Sequence, residues 1–253
     1  METKQTVAIF GASGSMGSAI TKSIANGPYR LLLISKDAQK LQKLQSEIFK
    51  EIPNAETEVI QTLIDARWKA DIFILAVPYS SEAAIVPEIK DLAVGKIVIS
   101  ISNPINKTLT GSVTAPGTSA AEELQKLLPD SKVVKAFNTT FAADFTHPVI
   151  DGKQVDSFVA GDDEAAVKTV AEIIKIVGFN PIIAGGLEVS RTLENMQLLL
   201  MQLGLKYNYN WLAEDSSQLM IKFIFKCVHC LPIKQRSSLQ TTGERINLLL
   251  GLF

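Results

Sequence analysis

Seven residues near the start of the chain, Gly11-Ala12-Ser13-Gly14-Ser15-Met16-Gly17, constrain the fold more than any other segment. The glycines are spaced G-x-x-G-x-x-G. They follow an apolar run at 7–10 and precede a stretch, 15–26, in which Met16, Ala19, Ile20 and Ile24 fall on one helical face. That order predicts a buried parallel strand, a tight turn and a helix. In this setting Gly11 makes the turn off the strand, and Gly14 lets the backbone approach a pyrophosphate. Gly17 allows helix and sheet to touch. The backbone N–H groups of the first helical turn, together with the positive end of the helix dipole, then face phosphate oxygens. A glycine triplet by itself is also compatible with an ordinary loop. Its place at the head of a strand–helix alternation is what argues for dinucleotide binding.

The alternation continues along the chain. Strands are expected at 30–35, 58–61, 70–77, 96–102, 132–137, 157–160 and 181–184. Helices are expected between them, at 81–92, 119–128 and 164–177 and through Leu41, Leu44 and Ile48, while 105–118 reads as a loop. Strands alternating with helices imply parallel pairing through right-handed crossovers. The expected class is therefore α/β, a Rossmann-type doubly wound, mainly parallel sheet. After Gly185-Gly186 the strand pattern stops, and 187–211 reads as one long helix. The expected organisation is a Rossmann domain over 1–186 and a C-terminal helical region over 187–253, whose last part, 214–253, has weak punctuation.

The second strand bears on which dinucleotide is bound. An NAD site usually places Asp or Glu at its end to hold the ribose hydroxyls. Ser35-Lys36 occupies that place here, with Lys40 and Lys43 on the following helix. A hydroxyl and ammonium groups attract a 2′-phosphate that a carboxylate would repel, which favours NADP. Asp37 is expected to cap the next helix, leaving its carboxylate occupied by backbone donors. A solvated lysine face is the plainer alternative for Lys40 and Lys43. Ligands of open α/β sheets lie beyond the carboxyl ends of the strands. The other candidate cofactor-binding residues are therefore Ala76, Val77, Pro78, Ser102, Asn103, Pro104, Ala136, Phe137, Asn138 and Thr139. Each set also fits plain turn chemistry.

Composition excludes several function classes. With 25 basic and 26 acidic side chains, the net charge of −1 offers no general attraction to nucleic acid or an anionic membrane. Two Cys and two His make a multi-ligand zinc site unattractive. Cys227 and Cys230 form a C-x-x-C, but zinc would need two further ligands and only His147 and His229 exist; Leu231 stands where a c-type haem site has His. Reduced thiols and a redox pair both stay open for these cysteines. Few cysteines, no targeting segment and no long apolar span lead to the expectation of a soluble cytoplasmic protein. None of Tyr29, Tyr79, Tyr207 and Tyr209 has Lys four residues later, which disfavours a short-chain dehydrogenase. No catalytic dyad and no metal ligand set is assigned.

Several further motifs are specific. The Gly11–Gly17 turn and Ser35-Lys36 occur together with Ser119-Ala120-Ala121-Glu122-Glu123-Leu124 and Val133-Val134-Lys135-Ala136-Phe137-Asn138-Thr139. Phe158-Val159-Ala160-Gly161-Asp162-Asp163 and Leu193-Glu194 complete the set. On these residues, over about 7–211, the chain resembles the F420-dependent NADP oxidoreductase family, itself similar to the reductase domain of the STEAP metalloreductases. The resemblance implies NADP(H) along the sheet edge with its nicotinamide near Phe137-Asn138-Thr139, and C-terminal helices that cap the cleft and form a homodimer. It also implies direct hydride transfer to or from F420 or a flavin. Such transfer needs alignment more than an acid or base. Asn138 stands where some F420-using members have His, so a flavin or another small electron acceptor stays open beside F420. An imine or β-hydroxyacid-type reductase and a non-enzymatic NADP-binding redox sensor are the competing readings.

Overall fold

The computed structural model describes residues 4–60, 70–150 and 152–207. The chain divides into two compact units, Met1–Ser217 and Gln218–Phe253, and every described residue belongs to the first. The expectations for 214–253, including Cys227 and Cys230, therefore lie outside the described residues.

The first half of the chain builds a run of parallel strands with helices between them. In order come β1 (Gln5–Phe10), α1 (Ser15–Ile24), β2 (Tyr29–Ile34), α2 (Ala38–Glu51) and β3 (Glu56–Ile60), then β4 (Ile72–Leu75), α3 (Tyr79–Ile89), β5 (Ile97–Ser100), α4 (Ala120–Leu127) and β6 (Lys132–Ala136). The hairpin β7 (Val149–Ile150) and β8 (Lys153–Gln154) leads to β9 (Asp156–Gly161), α5 (Glu164–Val177), β10 (Asn180–Gly185) and α6 (Ser190–Lys206). The eight-stranded sheet has the order β10-β9-β6-β5-β4-β1-β2-β3. Its β3-β2-β1-β4-β5-β6 part is the strand order of a dinucleotide-binding fold, with the crossover between β1 and β4.

Burial on both faces explains why these strands read as continuous apolar runs. Successive residues of β4 serve opposite faces: Ile72 and Ile74 join the cluster under α1, α2 and α5, while Phe73 and Leu75 join the one under α3 and α4. Each such fully buried side chain contributes roughly 1.5–3 kcal/mol. Local signals set the helix ends. In α5 the Asp163 carboxylate accepts from the Ala166 N–H at 2.8 Å, and Gly178 ends the helix at φ +99°.

Two expectations change. β9 pairs with β6 antiparallel, Lys135 opposite Ala160, rather than parallel. No crossover helix lies between them; the chain runs through a 3-10 turn at Ala142–Phe145 and the β7–β8 hairpin, then enters β9 from the edge where β6 ended. The helix expected over 187–211 starts as a 3-10 turn, Leu187–Val189, before α6 proper. Its expected end, 208–211, lies outside the described residues.

Candidate functional site

Because β1, β2, β4, β5 and β6 are parallel neighbours, their carboxyl ends fall side by side. This places the Gly11–Gly17 turn next to Ala76 on one side and to Ser35 on the other. Ser102 and Phe137 follow along the same edge.

The turn needs its glycines for contact. A Cβ on Gly11, whose φ is +77°, would lie 2.2 Å from the Ala76 carbonyl oxygen, and one on Gly17 would lie 2.1 Å from the Gly11 oxygen. The Gly11 and Ala12 N–H groups donate to the Ile34 carbonyl at 2.8 and 3.1 Å, fixing the turn to the end of β2. Ala12 is fully buried and Met16 packs against the core, so these two contribute backbone rather than a ligand-facing side chain. Like α3 and α6, α1 starts without a side-chain cap. Asp37, Ser119 and Asp163 cap α2, α4 and α5 through their side chains, whereas α1 starts at Gly14 with no side-chain cap. Its first-turn donors suit an anion, and the cradle fits a dinucleotide pyrophosphate.

Beside the turn, the Ser13 and Ser35 hydroxyls meet at 2.5 Å. Lys36 is exposed at the end of β2. Asp37 caps α2 as expected, accepting from the Lys40 N–H at 3.0 Å, and that bond holds its carboxyl below the usual carboxylate range. The Lys40 ammonium turns back to Asp37 at 3.2 Å, and Lys43 faces Glu47 at 3.9 Å. Such exposed pairs are weak. Lys36 and the two serines are therefore the part of this patch best placed for a 2′-phosphate.

At the far end the polar groups bind one another. Asn138 is buried, and its Nδ2 donates to the Asn103 Oδ1 at 3.0 Å and to the Leu193 carbonyl at 3.0 Å. Asn103 Nδ2 returns a bond to the Asn138 carbonyl at 2.9 Å. The two asparagines thus clasp β5 to β6, and β6 to α6. Ala136 and Phe137 belong to the core, Phe137 at φ +57°. The Thr139 hydroxyl and the Asn138 Oδ1 are buried and find no protein partner, leaving polar atoms for a ligand or water.

Sequence reasoning assigned no role to three buried charged residues here. Lys135 is 0% exposed; its Nζ donates to the Ser102 carbonyl at 2.5 Å and to Glu194 Oε1 at 2.7 Å. Glu194 also accepts from the Ala120 and Ala121 N–H groups at the start of α4, at 3.0 and 3.4 Å. Glu82 of α3 lies close by, and burial pushes its carboxyl up to about 7. The Ser102 and Ser100 hydroxyls and the Lys135 charge moderate the rise, and Glu194 adds to it. Those hydroxyls sit beside the carboxyl without completing well-formed hydrogen bonds to it. The available signal was Lys135 itself, a lysine inside a strand expected to be buried on both faces, which requires an acid from another element.

Next to this cluster is a pocket of about 210 Å³. Pro104, Ile105 and the 112–118 loop form one wall, and Arg191, Glu194, Asn195 and Leu198 of α6 form the other. Arg191 holds Glu122 through both carboxylate oxygens, its Nε at 2.8 Å, tying α6 to α4. Among the described residues no group of His, Cys, Asp and Glu could hold a metal ion, and no helix is long and apolar enough to cross a membrane.

A family model described as NADP oxidoreductase, coenzyme F420-dependent, matches residues 6–104, which include the glycine turn and the ends of β2, β4 and β5. The F420-dependent NADP reductase of Methanocaldococcus jannaschii is 32% identical, over 79% of this chain and 93% of that protein. Metalloreductase STEAP2 of Homo sapiens is 28% identical over 79% of this chain, but the match covers only 37% of STEAP2. A solved protein from Arthrobacter sp. FB24 has the same fold, with a TM-score of 0.66 at 23% identity over 80% of this chain and 94% of that one. The match to the archaeal reductase runs nearly the whole length of that protein. The chain belongs to the F420-dependent NADP oxidoreductase family.

Proposed function

We propose that this chain transfers a hydride between NADP(H), lying across the carboxyl edge of the sheet, and F420 or a similar ring taken up in the pocket between the 104–118 segment and α6. One observation carries the reading. A single edge runs from a helix start without a side-chain cap, with hydroxyl and lysine groups beside it, to Ser102 and Asn103, and the pocket that begins at Pro104 and includes Glu194 follows directly. The name of the Methanocaldococcus relative supports NADP and F420 as the reacting pair. A flavin is a second candidate for the acceptor.

When bound, the nicotinamide and the acceptor ring would supply the redox chemistry, a two-electron hydride transfer between the two rings. The chain supplies position. The Gly11–Gly17 backbone and α1 hold the pyrophosphate, and Ser35 with Lys36 engages the 2′-phosphate. The walls joined by Asn103 and Asn138 exclude water and hold the reacting ring. Reacting atoms must be held about 3–3.5 Å apart, which requires rigid walls more than a proton donor. An imine or β-hydroxyacid reductase would need such a donor facing the nicotinamide. The lysine at this end, Lys135, is instead buried and bound to Ser102 and Glu194.

The test is NADPH oxidation, and its reverse, with F420, FMN and riboflavin, alongside NADPH and NADH affinities. The reading expects turnover with F420 or a flavin and a preference for NADPH. Tight NADPH binding with no turnover by any acceptor would instead support a redox sensor. Equal affinity for NADH and NADPH would contradict the role of Ser35 and Lys36.

A further inference from the structure

Four elements meet at one buried ammonium. Lys135 Nζ reaches the Ser102 carbonyl beyond β5 and Glu194 on α6, and Glu194 in turn holds the first N–H groups of α4. One residue before Glu194, the Leu193 carbonyl accepts the Asn138 amide. The same stretch of α6 therefore grips β6 directly and, through Lys135 and Asn138, the end of β5. Glu194 also lines the pocket. The link thus runs from the pocket wall to the strand ends where the nicotinamide is expected.

Stability alone does not call for an ion pair here. Taking an ammonium and a carboxylate out of water carries a large desolvation cost, and an apolar pair of similar volume is often as stable or more so. An ion pair differs in being directional: the charged hydrogen bonds allow one arrangement of α6 against the strand ends, where an apolar contact would allow several.

We propose that Lys135 and Glu194 are positioning residues for hydride transfer, which set the α6 wall of the pocket against the Ser102–Asn103 and Phe137–Asn138 strand ends and so fix the distance between the two reacting rings. The proposal rests on the functional reading above. A displacement of the order of 1 Å in such a reaction costs up to about a hundredfold in rate.

The test uses the full chain and the charge-free double variant Lys135→Met/Glu194→Gln. The glutamine oxygen can take the Oε2 place and still accept from Ala120, the shorter of the two bonds, so α4 keeps that cap contact, and neither partner is left as an unpaired buried charge. Thermal unfolding establishes that the variant is folded, and Lys135→Met alone serves as a second variant. NADPH affinity is measured by fluorescence. Single-turnover hydride transfer to F420 is measured with ordinary NADPH and with NADPH deuterated at the transferring position.

The expected result is NADPH affinity within about threefold of the parent and hydride transfer slowed at least tenfold, with a larger deuterium effect on steady-state turnover and a raised KM for the acceptor. A folded double variant that transfers hydride at the parent rate overturns the proposal. A rate loss matched by an equal loss of NADPH affinity also overturns it, since that marks general disruption of the groove. If the parent itself transfers no hydride to any acceptor, the functional reading fails, and this proposal fails with it. An active parent with an unaffected variant sinks only the positioning role.

Discussion

At the β1–β2 end of the edge the polar groups face outward. α1 starts without a side-chain cap, Lys36 is exposed, and the Ser13 and Ser35 hydroxyls bind each other, Ser35 also accepting from the Asp37 N–H at 3.4 Å. At the β5–β6 end the polar groups are buried and bound across elements: Lys135 to Glu194 and Ser102, Asn138 to Asn103 and Leu193. The first end is suited to a highly charged, water-soluble group, which it can meet with donors left free by the fold. The second is suited to an uncharged ring that must be held still. Substitutions should therefore act differently at the two ends, lowering affinity at one and altering stability and geometry at the other.

The largest effect is expected from Glu194→Ala, which leaves the Lys135 ammonium buried without its partner. Chemical denaturation should show a loss of about 3–5 kcal/mol. A loss under about 1 kcal/mol would mean that the buried end tolerates rearrangement, and the contrast would break.

Glu82→Gln tests the same end by pH. The folded protein keeps the Glu82 proton up to about 7, while the unfolded chain releases it near the ordinary 4.5. The native state thus binds more protons between those values, so its stability falls as pH rises through them and the full cost is present above about 7. A rise of that size corresponds to at most about 3 kcal/mol. Unfolding free energies at pH 5 and pH 8 should differ less in Glu82→Gln than in the parent; an unchanged difference would place the titration elsewhere.

At the open end, Gly17→Ala puts a methyl group into the Gly11 carbonyl, where both atoms are backbone-bound and cannot swing away. We expect about 2 kcal/mol of destabilisation and weaker NADPH binding. Gly95→Ala is the converse control: Gly95 has a positive φ, +70°, which Gly17 lacks, and open space around the new methyl group. Its cost should be about 1 kcal/mol, with NADPH affinity unchanged.

Lys36→Ala should weaken NADPH binding about tenfold and leave NADH and the melting temperature nearly unmoved, as expected for loss of one charge-assisted contact. The smallest effect is expected from Lys40→Ala, under about 0.5 kcal/mol in stability and less than threefold in NADPH affinity, because its ammonium already faces Asp37. A Lys40 effect as large as that of Lys36 would return Lys40 to the phosphate site and widen the open end.

Legibility in the sequence follows the same division. The glycine turn, the Asp37 cap and most strands and helices could be read because each depends on residues adjacent in the chain. The reversal at β9 could not, since strand direction there depends on how the chain between β6 and β9 returns rather than on β9's own residues. Asn103 and Asn138 were read as ligand contacts on the cofactor edge. They are at that edge, but their amides are engaged with each other and with α6, from 35 and 55 residues away.

The amino-acid sequence by itself determined the glycine-turn end of the edge. Turn geometry, helix capping and the charge beside β2 are local, and local chemistry is carried by spacing. It also determined the apolar strands, because burial on both faces leaves an unbroken apolar run. Tertiary structure alone decided the other end. A lysine, a glutamate and two asparagines, far apart in the chain, become one network only after β5, β6, α4 and α6 are in place. Hydrogen bonds between remote elements have no period or spacing to record them, and the cost of leaving such groups unpaired in the core is what holds them together.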